Sequence, residues 1–250
     1  MVADVASMVE FYRPKYAVLE NVIAMAKKGE RRREDCLSQL ICCLVGMGYQ
    51  LQVNLLDAWS FGCSQRRTRL FVVVTAPDLA TPKHPYLSHS HPENTNNRGL
   101  GVMANGLPFG QRVWDDTAFK WQSAEEATAD LPDIGDGQNS HCTPFPGHRT
   151  SFNMKEQLRK QLAAVPLYPP GLNARTAWPR MSDYERSLFA TKDPHVPGQM
   201  NQKTAEKLGN GFERVNAQTL FPTITTSCAP TEKRNGQVAH WSQQRVITIL

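Results

Sequence analysis

Residues 49–75 read YQLQVNLLDAWSFGCSQRRTRLFVVVT, and their pattern decides the fold. Gln50 to Leu56 alternates polar and apolar side chains, as a strand with one wetter face does. Leu70 to Val74 is apolar at every position and rich in valine, which suits a strand covered on both faces. The loop between these runs carries Gln65, Arg66, Arg67 and Arg69. Guanidinium groups are not buried unpaired, so these arginines face solvent, an acidic side chain or an anionic ligand.

Toward the amino terminus, Val2, Val5, Ala6 and Val9 recur at helical spacing and predict a helix over 2–12, closed before Pro14. Tyr16 to Leu19 reads as a short strand that stops at Glu20-Asn21. A second helix follows, with Leu37, Leu40, Ile41, Leu44 and Val45 on one face and Gly46 and Gly48 at its end. Helix, strand, helix, strand is the order of an α/β sheet with parallel strands. The last strand, joined by a loop too short for a crossover, is expected to run antiparallel to its neighbour. Ligands of open α/β sheets sit beyond the carboxyl ends of the parallel strands. Glu20 ends one such strand, and the loop from Asp57 to Arg69 leaves the next. One carboxyl group and two or three arginines are therefore expected on one rim.

Beyond Ala76 the composition shifts to Pro, Gly, His and Asn. Ser123 and Glu126 form a capping-box pattern that opens a helix ending before Pro132, and a second helix is expected over about 154–164. The rest of this half reads as loop-rich and separate from the sheet. The closing residues, HWSQQRVITIL, look like the start of an element.

The formal charge of +5 and sequence pI of 8.9 permit nucleic acid as a partner without requiring it. The six cysteines include no CxxC pair, so neither a disulfide framework nor a zinc site is indicated, and a reduced compartment is expected. No apolar run is long enough to span a bilayer and no signal-peptide pattern opens the sequence; a soluble chain is expected.

Leu19-Glu20-Asn21-Val22, followed in order by Gln65-Arg66-Arg67-Thr68-Arg69, resembles the sixth and eighth motifs of the DNA (cytosine-5)-methyltransferase family. Gly48-Tyr49 and the turn Ser60-Phe61-Gly62 fit the approach to the eighth motif. SAEEATADLP (123–132) looks like a segment of the family's target-recognition region, and FPTITT with HWSQQRVIT resembles the run into its ninth motif. The long recognition region is similar to the fungal branch. The resemblance implies part of a Rossmann-like methyltransferase sheet plus a loop-rich target-recognition region. The implied division is 1–78 for the catalytic sheet, 79–220 for the recognition region, and 221–250 for the return to the catalytic domain. It further implies S-adenosylmethionine as cofactor of the complete enzyme, double-stranded DNA as partner, no metal, and the nucleus as location.

On that resemblance Glu20 holds the ring nitrogen and exocyclic amine of a flipped cytosine. Arg69 contacts its O2, and Arg67 helps hold the active-site loop. Asn21, Val22 and Gln65 support these loops, and Arg66, Arg67 and Arg69 face DNA. The plainer alternatives are a strand-end Glu capping backbone and arginines in surface salt bridges. The basic run Lys27, Lys28, Arg31, Arg32 and Arg33 suits either phosphate or solvent. His84, His89, His91, His141 and His148 show no ligand spacing, and Cys63 reads as a small buried filler.

Two family features are missing. No Pro-Cys dipeptide occurs, so the family's nucleophile is absent from these residues. Gly-x-Gly triplets starting at Gly99, Gly135 and Gly209 do not follow an apolar strand, as the cofactor loop would. The expectation is a fragment covering the middle and late motifs, inactive alone. The competing expectations are an inactive DNA-binding remnant or split-gene half and, last, a Gly/Pro-rich binding module.

Overall fold

The computed structural model describes residues 2–26, 35–93, 99–102, 105–110, 116–134, 154–189, 206, 208–224, 229–233 and 235–247. The chain divides into two compact units, Met1–Trp121 and Gln122–Leu250.

The first unit is a three-stranded sheet with two helices packed on one face. Helix α1 spans Val2–Tyr12 and α2 spans Cys36–Gly46; β1 is Tyr16–Val22, β2 Gln50–Asp57 and β3 Thr68–Thr75. Strand order is β1-β3-β2, and β3 is antiparallel to both neighbours. β1 and β2 therefore point the same way, as expected, but they are not neighbours. The returning strand is inserted between them. The central place of β3 explains the unbroken apolar run better than cover on both faces does. Leu70, Val72 and Val74 are buried against the helices, whereas Phe71 and Val73 on the other face are only partly covered.

The core joins Ala6 and Val9 of α1, Leu37, Leu40 and Leu44 of α2, and Leu55, Leu70, Val72 and Val74 of the sheet. Leu44 and Val74 have no exposed surface, which is worth roughly 1.5–3 kcal/mol for each side chain. Val45, expected on the buried face of α2, is exposed, because the arc that packs on the core is centred on Leu37, Leu40 and Leu44 with Ile41 at its edge, and Val45 falls outside it. Gly48 takes the left-handed conformation (φ 89°) that stops α2. The Tyr49 amide then bonds the Leu44 carbonyl and the Gly48 amide the Val45 carbonyl, the pairing of a Schellman end. β1 continues past Leu19 to Val22, so Glu20 lies within a paired strand rather than after it. A short hairpin, β4 (Gly101–Val102) with β5 (Pro108–Phe109), completes this unit.

In the second unit α3 spans Glu156–Ala164, α4 Ala174–Ala177 and α5 Asp183–Ser187, with β6 (Glu213–Arg214) parallel to β7 (Gln237–Ala239). The expected capping box forms: the Ser123 amide donates to Glu126 Oε2 (2.8 Å) and the Glu126 amide to Ser123 Oγ (3.2 Å). It opens a single 3-10 turn, Glu126–Thr128. The core gathers Leu162, Val165, Ala174, Trp178, Phe189, Phe212 and Ala239. Arg214 is buried among them. Its guanidinium donates to the carbonyls of Leu162, Val165, Pro166, His240 and Gln243 and to Gln244 Oε1. Near its end the chain turns back on itself, with Ala239 bridged antiparallel to Val246.

Candidate functional site on the sheet rim

Alternation along β1 puts Glu20 on the face that the helices leave open, beside exposed Val18 and Val22. On β3 the same face carries Arg69, Phe71 and Val73. Register pairs Val22 with Arg69 and Glu20 with Phe71. The two charged side chains are thus diagonal neighbours, within reach for long side chains. Arg69 Nε stands 2.8 Å from Glu20 Oε1, the carboxylate half exposed and the guanidinium mostly covered. Arg69 Nη1 also donates to the Thr68 carbonyl at 2.9 Å, which fixes the fork. Among the described residues Glu20 Oε2 has no partner, so the carboxylate keeps one oxygen for a guest.

The loop feeding β3 is short and held at both ends. A 3-10 turn, Ala58–Phe61, ends at Gly62 in the left-handed conformation (φ 87°). The Ala58 amide bonds the Arg67 carbonyl at 2.8 Å, and the Thr68 hydroxyl donates to Asp57 Oδ1. Gln65 and Arg67 follow one another through tight turns, with Gln65 N to Cys63 O at 2.6 Å and Arg67 N to Gln65 O at 2.9 Å. Arg66 is exposed and Arg67 half-buried; neither makes a described ion pair with Glu20. Asn21 points the other way, and its Oδ1 takes the Val22 amide at 2.8 Å.

Sequence reasoning missed the braces. Buried Trp59 donates its indole N–H to His91 Nδ1 at 3.1 Å. The Ser60 carbonyl takes the amides of Ser88 and His89. The His89 ring lies against Gly62 so closely that a Cβ there would sit 2.9 Å from it. These histidines share no ligand spacing, and nothing in sequence ties residues 88–91 to the turn at 58–62. Cys63, expected to be buried, is exposed, because it follows the αL glycine where the chain swings outward. Lys27, Lys28, Arg31, Arg32, Arg33, His141 and His148 lie outside the described residues. Among the described residues no cluster of His, Cys, Asp or Glu could hold a metal ion, and no helix is long and apolar enough to cross a membrane.

Among the described residues no glycine triplet follows a strand to cradle S-adenosylmethionine, and Gly46-Met47-Gly48 ends α2. At Gly209 and Gly211 an added Cβ would meet the Lys233 carbonyl at 2.6 Å and the Leu208 carbonyl at 2.9 Å. That triplet is filled by the chain itself. Gly101 belongs to the β4–β5 hairpin, and Gly135 lies outside the described residues.

A carboxylate and a guanidinium fixed side by side on a sheet rim are suited to a planar polar ring with donors and acceptors along its edge. Residues 1–249 match the model of the family described as C-5 cytosine-specific DNA methylase. The chain belongs to that family. It is 30% identical over 142 residues to DNA (cytosine-5)-methyltransferase 3 of Arabidopsis thaliana, covering 56% of this chain and 10% of the relative. It is 28% identical over 161 residues to DNA (cytosine-5)-methyltransferase 1 of Mus musculus, covering 64% and 10%. With DNA (cytosine-5)-methyltransferase 1B of Oryza sativa subsp. japonica it is 28% identical over 280 residues, covering 100% and 17%. The matched region spans between a tenth and a fifth of the length of these relatives.

Proposed function

We propose that these residues serve a DNA (cytosine-5)-methyltransferase, which moves a methyl group from S-adenosylmethionine to C5 of a cytosine extruded from double-stranded DNA. The observation that carries this is the Glu20–Arg69 pair at 2.8 Å, on the two motifs of a chain of this family. Residues 1–78 act as the catalytic part, 79–220 as the recognition region and 221–250 as the return to the catalytic part. The nucleus is the location that suits a DNA substrate in relatives from plants and a mammal.

The chemistry needs such a pair. Cytosine C6 accepts a nucleophile only as positive charge develops at N3, and a carboxylate aimed there stabilises that charge. Glu20 takes the N3 and amino edge through its unpartnered oxygen, and Arg69 takes O2. A carboxylate acceptor and a guanidinium donor set along one edge also reject bases with a different edge pattern. Gln65, Arg67 and the Trp59–His91 brace hold the loop, and Arg66 faces the DNA backbone. We assign no residue here to the methyl donor.

These 250 residues contain no Pro-Cys, so the chain alone lacks the family's thiolate and is expected to transfer no methyl group. The test is transfer of labelled methyl from S-adenosylmethionine to a cytosine-containing duplex. The chain alone gives none; with a family segment bearing Pro-Cys and the glycine loop supplied in trans, transfer appears and Glu20→Gln cuts it at least a hundredfold. Turnover by the chain alone, or full activity of the variant, would overturn the assignment. The same missing thiolate favours one second reading, an inactive DNA-binding half; it is supported if DNA binds but no added segment restores transfer.

A further inference from the structure

A half-open cleft of about 410 Å³ lies in the second unit, well within the size of small-ligand sites. Leu131, Pro132, Phe221 and Trp241 make its apolar walls. Phe221 and Trp241 have ring centroids 6.2 Å apart, and His240 stacks on Trp241 at 4.1 Å and 25°. The opposite chemistry comes from a polar chain running from buried Arg245 and Gln243 to exposed Asp133: Arg245 Nε donates to Gln243 Oε1, and Gln243 Nε2 donates to Asp133 Oδ1. Arg245 is only 5% exposed, and among the described residues its Nη2 meets no acceptor. Burial pushes its guanidinium down from the ordinary arginine range, while the charge of Asp133 opposes that shift. The cleft is also preorganised. Arg214 holds the carbonyls of His240 (2.7 Å) and Gln243 (3.1 Å), and the Ala239–Val246 bridge closes the turn that carries Trp241.

We propose that this cleft binds one unpaired nucleobase. The ring stacks on the Phe221–Trp241 wall, a base carbonyl takes the spare N–H of Arg245, and the base's donors face Asp133. Three features select this guest. Aromatic walls hold any flat ring, and stacking of a base on an aromatic side chain is worth about 1–3 kcal/mol. The wall offers a donor and an acceptor together, as base edges require. Glu125 and Asp133 beside a single cation disfavour phosphate, so the backbone stays outside. Conversely, the buried guanidinium excludes a methylated ammonium, which an aromatic cage would otherwise suit. That the base comes from DNA rests on the function proposed above; the cleft's own chemistry does not.

The test is binding of free deoxynucleosides to the 250-residue chain, read by ligand-observed NMR and calorimetry, with no methyl transfer involved. A deoxynucleoside is expected to bind, and its 5′-triphosphate at least tenfold more weakly. Ala129→Trp, which fills the cleft from an exposed position, removes binding tenfold or more while melting is unchanged. Trp241→Phe weakens binding severalfold. Binding lost in Glu20→Gln but kept in Ala129→Trp would place the nucleoside on the sheet rim and overturn the proposal. So would a trimethyllysine peptide binding in place of nucleosides, or no nucleoside binding at all. Failure of methyl transfer with intact nucleoside binding would count against the enzyme reading alone.

Discussion

Arg69 Nε lies 2.8 Å from Glu20 Oε1 because β3 passes directly beside β1 and sets Val22 against Arg69. The pair sits on the open face of the sheet, where water screens it, and exposed ion pairs contribute about 0–1 kcal/mol. Glu20→Gln and Arg69→Gln are therefore expected to lower unfolding stability by less than about 1 kcal/mol in urea. A loss of several kcal/mol would mean that the pair holds the fold rather than a guest.

Gly62→Ala is expected to destabilise the first unit by about 1–3 kcal/mol, through its left-handed φ of 87° and the His89 ring. Adding His89→Ala relieves the clash but not the backbone strain. The double variant should regain part, not all, of the loss in thermal unfolding; full recovery would show that the conformation costs nothing.

Arg214→Met removes the donor to five carbonyls and one amide oxygen, all in or at the edge of the core. Orphaned acceptors of this kind cost about 1–3 kcal/mol each, so a loss of at least about 3 kcal/mol is expected. Lysine offers no fork and should rescue little. Equilibrium denaturation followed at Trp178, which sits in the same core, would register it. A variant as stable as the parent would show that water replaces the guanidinium.

Much of the rim was legible in the sequence, and the reasons are local. The alternation of Gln50 to Leu56, the short strand-like run before Glu20 and the apolar run after Arg69 are backbone-period signals, and these set the strands. The insertion of β3 between β1 and β2 was not legible, since a short loop fixes antiparallel direction but not which strand gains a second neighbour. The exposure of Val45 and Cys63 depends on how wide an arc of helix meets the sheet and on one left-handed residue. The Trp59–His91 and Gly62–His89 contacts and the Trp241 cleft join residues distant in sequence with no repeating spacing, so only the folded chain displays them.

Acid should loosen α5 early. The Ser182 amide and hydroxyl hold the Glu185 carboxylate below its usual range. A depressed carboxylate contributes stability that is present above its unfolded value, 4.5, and lost as pH falls through the lower folded value. Backbone exchange at 183–187 is expected to rise on acidification below that value. Ser182→Ala, which removes the hydroxyl from the capping box, should flatten the dependence. An identical pH response in the variant would assign the loss to another group.

β1 and β2 share no ladder; their partners lie on β3, the last of the three in the chain. A nascent polypeptide that stops short of Thr68 has nothing with which to zip its first two strands together. Helices can form and collapse before then, but the sheet closes in one late event. The carboxylate waits at the edge of an unfinished surface until the arginine arrives on the strand that finishes it, so birth of the rim pair and completion of the sheet are the same moment.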